Sequence, residues 1–562
     1  MSNKILFAFL LNALSFAFLN SNAQSVNDST QNWWKQTAIY QIYPRSFYDT
    51  NGDGIGDIKG IIQKLDYIQS LGFETIWCSP FFASPQKDFG YDVSDYTSIS
   101  PEFGTLEDAE NLIQEVHKRH MKIVLDMVMN HTSDQHKWFL ESASSKTNPK
   151  SDWYLWRDKP NNWKSMVGGS GWQYVASRNQ YYWASFLPFQ PDLNYRNPEV
   201  KKAMFDNVRF WLAKGADGYR LDIFNLIYKD KDFRDNPFSW DLLPSESNPS
   251  GFFQQAKYTM NQSETFEFAR ELRAVTKEFG DKILLGEVSG DIATIRKFMG
   301  NEKNDGLGLV FDFEMLPFHF KAKYFSSLIS KIETHFQHPF TPVYVFSNHD
   351  RRRSATRIKG NLEKAKLLQL LQLTVRGVPC MYYGEEIGMT DGRFSYRKGL
   401  DPIAQKNKWV ARFLTDAANE TLNRDDLRTP MQWDTTKNAG FSTADKTWLP
   451  ANKNFGERNV VKESEDSSSI LNEIKTLLKL RNEYEALKNG SLEVVKEKSS
   501  KNLLCYRRKV ANQTLLVVIN FGKKKIQLPT DFTKGKILYA VKNSTANFIA
   551  PLGATIILEE KK

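Results

Sequence analysis

Four apolar runs in the chain each end in groups that can move a proton or attack carbon. Lys122 to Met129 carries Asp126 and ends in Asn130-His131. Gly218-Tyr219-Arg220-Leu221-Asp222 sets Arg220 and Asp222 two residues apart, so in a strand both side chains share a face. Ile283-Leu284-Leu285-Gly286 leads into Glu287, and Val345-Phe346-Ser347-Asn348 leads into His349-Asp350. Gathering Asp222, Glu287 and Asp350 without partners is costly, and Arg220 is available to pair with one of them. Paired carboxyls with a third acid suit cleavage of a glycosidic bond. One stays protonated and donates to the leaving oxygen, while another attacks the anomeric carbon. Nearby like charge and poor solvation raise the donor's pKa. An arginine beside the attacking acid keeps it ionised, and a third acid stabilises the positive transition state.

These ends converge only if the runs are parallel strands that finish on one side of a sheet. The strand at Ala38–Tyr43 stops at Pro44, and Phe73–Trp77 stops before Pro80, with helical spacing from Ile58 to Ser70 between them. Leu106 to Arg119 is helical and precedes the buried run Lys122–Met129. The alternation recurs at Val208–Asp222, Phe266–Glu287, Val343–Asn348 and Leu362–Tyr383. Strands buried on both faces, alternating with helices, indicate parallel βα units. In a chain of 562 residues they predict an α/β fold built on a (β/α)8 barrel, whose strand ends line the active site. The expected divisions are a barrel over 30–131 and 198–485, an inserted subdomain over 132–197 after the third strand, and a C-terminal antiparallel β-sandwich over 486–562. The insertion holds Trp138, Trp153, Trp156, Trp163, Trp172 and Trp183, read as packing for that subdomain. The last part holds short strands at Leu503–Arg507, Thr514–Asn520, Lys536–Ala540 and Ala554–Leu558.

Composition narrows the class. Hydrophobic residues at 41% and charged residues at 25% fit a folded soluble chain. The net charge of +10 is spread along the sequence, which argues against a nucleic-acid partner. The three cysteines, Cys78, Cys380 and Cys505, form no metal-binding or disulfide pattern. Lys4, the apolar run Ile5–Leu19 and Ser21-Asn22-Ala23 read as an export signal over 1–23. The apolar run is short for a membrane span, which needs about 20 residues. The expected mature protein is therefore secreted or periplasmic, without a membrane anchor, and monomeric.

The motifs together resemble the α-amylase superfamily, glycoside hydrolase family 13, in its oligo-1,6-glucosidase and α-glucosidase branch. The four strand ends carry the resemblance, with Gln190-Pro191-Asp192-Leu193-Asn194, Ile39–Phe47, Tyr383–Gly388 and Arg428-Thr429-Pro430-Met431-Gln432-Trp433. It implies Asp222 as nucleophile, Glu287 as general acid/base and Asp350 as transition-state stabiliser. It further implies that His131 and His349 bind hydroxyls of the non-reducing glucose and that Arg220 orients Asp222. Tyr91, in Asp88-Phe89-Gly90-Tyr91, would stack on that glucose, and Phe186 would line the same pocket. Asp88 would pair with Arg428 and block the pocket beyond the glucose. The substrate implied is an oligosaccharide, and no organic cofactor is implied. Arg351-Arg352-Arg353 departs from the family's glutamine–proline–arginine run, which bears on the acceptor side.

Asp49 to Asp57 offers oxygen donors at alternate positions with glycines between, a set that suits a hard cation. It is similar to the front of an EF-hand loop but lacks the closing Glu. In the resembled family this loop carries structural Ca2+, which implies side-chain ligands Asp49, Asn51, Asp53 and Asp57 and a carbonyl ligand at Ile55. The residue after the nucleophile bears on linkage in that branch. Ile223 is β-branched like the valine that accompanies α-1,6 bonds, which points to a retaining exo-α-glucosidase favouring isomalto-oligosaccharides. An α-1,4-glucosidase and a transglucosylase or sucrose isomerase share the same catalytic residues. A catalytically dead transporter heavy chain would have lost the three acids.

Overall fold

The computed structural model describes residues 32–560, apart from 246, 418–419, 498 and 530–533. The expected export segment lies outside the described residues. Eight parallel strands close a barrel: β1 (Ile39–Ile42), β2 (Thr75–Cys78), β3 (Lys122–Val128), β4 (Gly218–Asp222), β5 (Ile283–Gly286), β6 (Leu309–Asp312), β7 (Val343–Tyr344) and β8 (Val378–Tyr382). Each pairs with its sequence neighbour, and β1 closes on β8 with Ile39 opposite Cys380. Trp77, Val124, Leu285, Phe311, Val345 and Cys380 fill the interior with Trp34. The barrel is thus a packed core and not a pore.

Local sequence starts the surrounding helices. Asp57 caps Ile58–Gln63 by accepting from Gly60 N. Thr105 and Asp108 form a reciprocal capping box at Leu106–Lys118. Asn197 caps Pro198–Ala213, with the proline in the first turn. Leu362–Thr374 is buried on nearly all sides, because Ile470–Glu483 covers the face turned away from the barrel.

β6 was not anticipated. It has four residues, follows the polar stretch 301–305 and runs straight into a 3-10 turn, so no periodic pattern marks it. Between β3 and β4 the insertion builds a three-stranded sheet, with Gln180–Trp183 between Trp156–Arg157 and Trp172–Val175. Trp163, Trp172 and Trp183 form a small buried cluster there. The C-terminal region starts its five-stranded antiparallel sheet at Ser491–Val494. A two-stranded sheet, Ile526–Gln527 with Phe548–Ile549, contributes Ile549 to the core on one face of it. The three cysteines are buried and form no disulfide. Among the described residues no helix is long and apolar enough to cross a membrane.

Candidate active site

The parallel register assembles the acids. Asp126 on β3 stands opposite Arg220 on β4, and Val128 stands opposite Asp222. Glu287 N donates to Leu221 O at 2.9 Å, which sets Glu287 just past the end of β5 at the level of Asp222. Arg220 is the hub. Its Nη1 donates to both oxygens of Asp126 at 2.8 and 3.0 Å and to Asp222 Oδ1 at 2.8 Å, while Nη2 donates to Glu287. The sequence offered Arg220 as partner to one of Asp222, Glu287 and Asp350; it binds the first two, and its third acid is Asp126. Trp77 Nε1 adds a donor to Asp126 at 3.1 Å.

One guanidinium against three carboxylates leaves the group short of positive charge. Burial pushes Asp126 up to about 6, with Arg220 opposing it. Burial, opposed by Arg220 but reinforced by Glu287 and Asp126, also holds Asp222 well above the usual carboxylate range. Acids this close titrate as a set and not singly.

Asp350 behaves oppositely. Burial alone would raise its carboxyl, but His349, Arg424 and Arg428 together outweigh that and hold it below the usual range. Arg428 Nη2 lies 2.7 Å from Asp350 Oδ1, and its Nε donates to His349 O at 3.0 Å. The expected pairing of Asp88 with Arg428 is therefore corrected. Asp88 pairs with Arg424, whose Nη2 lies 2.5 Å from Asp88 Oδ1 and 2.8 Å from Asp401 Oδ1, with Nη1 3.5 Å from Asp350. Arg424 opens a short 3-10 turn, Arg424–Leu427, that ends just before Arg428, so the two guanidinia approach Asp350 from neighbouring positions. Neither Arg424 nor Asp401 stood out in the sequence.

The remaining site residues gather around these groups. Tyr91 stacks parallel on His349 with ring centroids 5.3 Å apart, and its hydroxyl sits 2.6 Å from His349 Nε2 and 3.2 Å from Asp126. Gln41 Nε2 lies 2.8 Å from His349 Nδ1, which leaves Nε2 as the protonated nitrogen. Burial drops His349 to about 3, so it is neutral at physiological pH. His131 Nε2 donates to Tyr91 O at 3.1 Å, and burial lowers its pKa too. The Phe186 ring lies 6.1 Å from the His131 ring. Gln190 Nε2 donates to Asp88 Oδ2 at 3.0 Å, tying the insertion to the barrel.

The Asp49–Asp57 loop stands apart from this cluster. Asp49 accepts from the amides of Asn51, Gly52 and Gly54 and from Ser442 Oγ. Asp53 accepts from Ile55 N and Asn51 Nδ2, and Asp57 from Thr50 and Gly60. The donor set is all oxygen, as a hard cation requires, but internal hydrogen bonds engage its carboxylates. Among the described residues no three His, Cys, Asp or Glu side chains gather as a metal site.

The family model of the alpha-amylase catalytic domain matches residues 41–490. The chain belongs to the α-amylase family. This α-amylase-family chain is 37% identical over 522 residues to an oligo-1,6-glucosidase of Parageobacillus thermoglucosidasius, covering 88% of this chain and 91% of that one. Its fold matches an alpha-glucosyl transfer enzyme, XgtA, with a TM-score of 0.85 at 34% identity, covering 94% and 99% of the two chains. It also matches an isomaltulose synthase from Erwinia rhapontici NX5, solved with sucrose, with a TM-score of 0.84 at 32% identity over 95% and 100%. As a member of the α-amylase family with these relatives, the protein is a glycoside hydrolase, and its substrate is a carbohydrate.

Proposed function

We propose that the protein is a retaining exo-α-glucosidase that removes glucose from the non-reducing end of short α-glucosides, with α-1,6 bonds favoured. The observation that carries this reading is Arg424 joined to Asp88, Asp401 and Asp350, an ion-pair knot that closes the pocket on its glucose side. A pocket closed there admits one terminal sugar and no interior stretch of chain.

Asp222 attacks the anomeric carbon, and the bond from that carbon to the leaving oxygen breaks. Glu287, in its protonated form, gives its proton to that oxygen as the bond breaks. Asp350, kept ionised by Arg424 and Arg428, stabilises the positive charge that develops on the sugar. Water then attacks the glucosyl–Asp222 ester and returns a proton to Glu287. Retaining enzymes hold their two carboxyls about 5 Å apart, and inverting ones hold them further apart. Two carboxylates sharing one guanidinium support the shorter spacing.

The α-1,6 preference draws on Ile223 and on the oligo-1,6-glucosidase relative. The likeness to an isomaltulose synthase supports a second reading, in which the glucosyl unit passes to another sugar hydroxyl. We further propose export of the protein, with residues 1–23 removed, and a structural calcium ion on the Asp49–Asp57 loop. Binding there replaces the Asn51–Asp53 and Thr50–Asp57 hydrogen bonds with ion contacts.

The deciding experiment measures glucose release from isomaltose, maltose, sucrose and trehalose in parallel, with the anomer of fresh product read by NMR. The expected result is α-glucose, released fastest from isomaltose. A β-anomer overturns retention. Isomaltulose formed from sucrose favours the second reading.

A further inference from the structure

Two tryptophans stand almost wholly in solvent: Trp240 is 86% exposed and Trp409 is 78% exposed. Tryptophan is usually well buried, and apolar surface clustered in one place signals a contact. Neither is isolated. Trp409 lies among exposed Leu400, Phe413 and Leu414 on one segment, and Trp240 among exposed Phe238, Leu242 and Phe253 on another.

The first segment, 400–417, follows β8 and carries two short helices, Pro402–Lys406 and Arg412–Ala417. Ion pairs clamp it to the catalytic pocket. At its start, Asp401 binds Arg424, the residue that also holds Asp88 and Asp350. Near its end, Arg412 binds Asp426 and Asp416 binds Arg352 at 2.6 Å. Arg351 reaches Glu420 at 3.6 Å. The arginine run after Asp350, which departs from the family pattern, thus has work at this wall. The second segment belongs to the long loop after β4. That loop returns at Asn261, whose Nδ2 donates to Ser289 O at 3.2 Å, two residues past Glu287. The insertion touches both segments at Gly168. Lys406 Nζ donates to Gly168 O at 2.5 Å, and a Cβ on Gly168 would sit 3.1 Å from the Phe252 ring. All three pieces are rooted beside the acids, so they border the way out of the pocket.

We propose that Trp409 and Phe413, together with the Trp240 segment, form an acceptor wall that stacks on glucose units of the leaving group beyond the scissile bond. The occupant is the reducing-side part of the substrate. The pocket is closed on the other side by Asp88–Arg424, so added sugar units extend only toward this wall. Sugar rings present C–H faces that suit flat aromatic surfaces, and the charged rim suits their hydroxyls. Arg352 acts as a positioning residue that holds the wall through Asp416. The inference rests on the exo-glucosidase reading.

The test compares kcat/KM on isomalto- and malto-oligosaccharides of two to five units for wild type, Trp409→Ala, Trp240→Ala and Arg352→Ala. Wild type is expected to prefer the longer chains. Each tryptophan variant is expected to lose that preference, with the pentamer-to-dimer ratio falling about tenfold for Trp409→Ala. Arg352→Ala is expected to shift the same ratio. In an Asp222→Asn background, the pentamer is expected to shift tryptophan fluorescence, and Trp409→Ala is expected to abolish the shift. Equal losses on dimer and pentamer, or an unchanged ratio, overturn the wall. So does a wild-type dimer in light scattering that Trp409→Ala turns into a monomer without changing chain-length preference. A wild type that releases no glucose from any oligomer overturns the exo-glucosidase reading instead, and the fluorescence titration still reports on the wall.

Discussion

The backbone amide of Ile223 donates to Glu287 Oε2 at 3.3 Å, and Ile223 directly follows Asp222. One residue therefore links the two acids proposed as nucleophile and proton donor. Its φ of 35° and ψ of 45° are left-handed, a conformation that costs a residue with a Cβ about 1–2 kcal/mol. That conformation turns the amide toward Glu287 and sets a β-branched residue directly after Asp222. Replacing Ile223 with Ala or Thr is expected to lower the isomaltose-to-maltose ratio of kcat/KM by about tenfold, the scale of a few methyl groups in a specificity pocket. A ratio that does not move removes Ile223 from linkage selection.

Asp222→Asn keeps the shape of the side chain and removes its charge. Turnover is expected to fall by about 10⁴-fold or more, with circular dichroism unchanged. Retained activity in this variant excludes Asp222 as the nucleophile.

The choice between Arg424 and Arg428 as the partner of Asp88 is open to a double-mutant cycle. Asp88→Ala with Arg424→Ala is expected to show a coupling of about 2–5 kcal/mol in kcat/KM, as buried charge pairs do. Asp88→Ala with Arg428→Ala is expected to lie nearer to additivity. The reverse order restores the pairing expected from sequence.

Acid is expected to draw stability from the protein's buried histidines. His349 titrates near 3 and His136 near 4 in the folded state, each lowered by burial, whereas an unfolded histidine titrates near 6.5. Between those values the unfolded chain binds more protons, so the stability from keeping these rings neutral is complete above about 6.5 and drains as pH falls toward 3. Buried carboxyls such as those of Asp126, Asp312 and Glu473 are raised to about 6–7 and act in the opposite sense over the same range, so the histidine part is read as a difference: the Tm of His136→Gln minus that of the wild type is expected to rise as pH falls from 7 to 4. A difference that stays level across that range contradicts this account.

Chelation tests the loop at Asp49–Asp57. EGTA is expected to lower Tm, calcium is expected to restore it, and kcat at low temperature is expected to stay level, since the loop lies away from the acids. Asp53→Ala is expected to remove the response. A Tm indifferent to both reagents removes calcium from the loop.

Much of the barrel is legible where strands are long and finish in chemically distinctive groups. Lys122–Val128 is seven residues of nearly unbroken burial, and Gly218–Asp222 ends in a recognisable motif. β6 has neither length nor a marked end. The missing parts of the site are relationships between distant residues. Asp126 was visible as an acid in a strand, but its contact with Arg220 depends on strand register. Arg424 and Arg428 are four positions apart, and only the turn between them decides which guanidinium meets Asp88.

The pairing of β1 with β8 joins Ile39 to Cys380 across most of the barrel's sequence. Such a closure is non-local and slow to find, because the chain loses the entropy of a very large loop before the last strand gains its partner. Arg424 and Arg428 follow later still in the chain. A growing polypeptide therefore lacks the counter-charges of Asp350 until 428 of its 562 residues, about three-quarters, have been made, and a chain that ends soon after β7 lacks them along with the last strand of the barrel. Any fragment that keeps the acids and their counter-charges together therefore has to reach past Arg428.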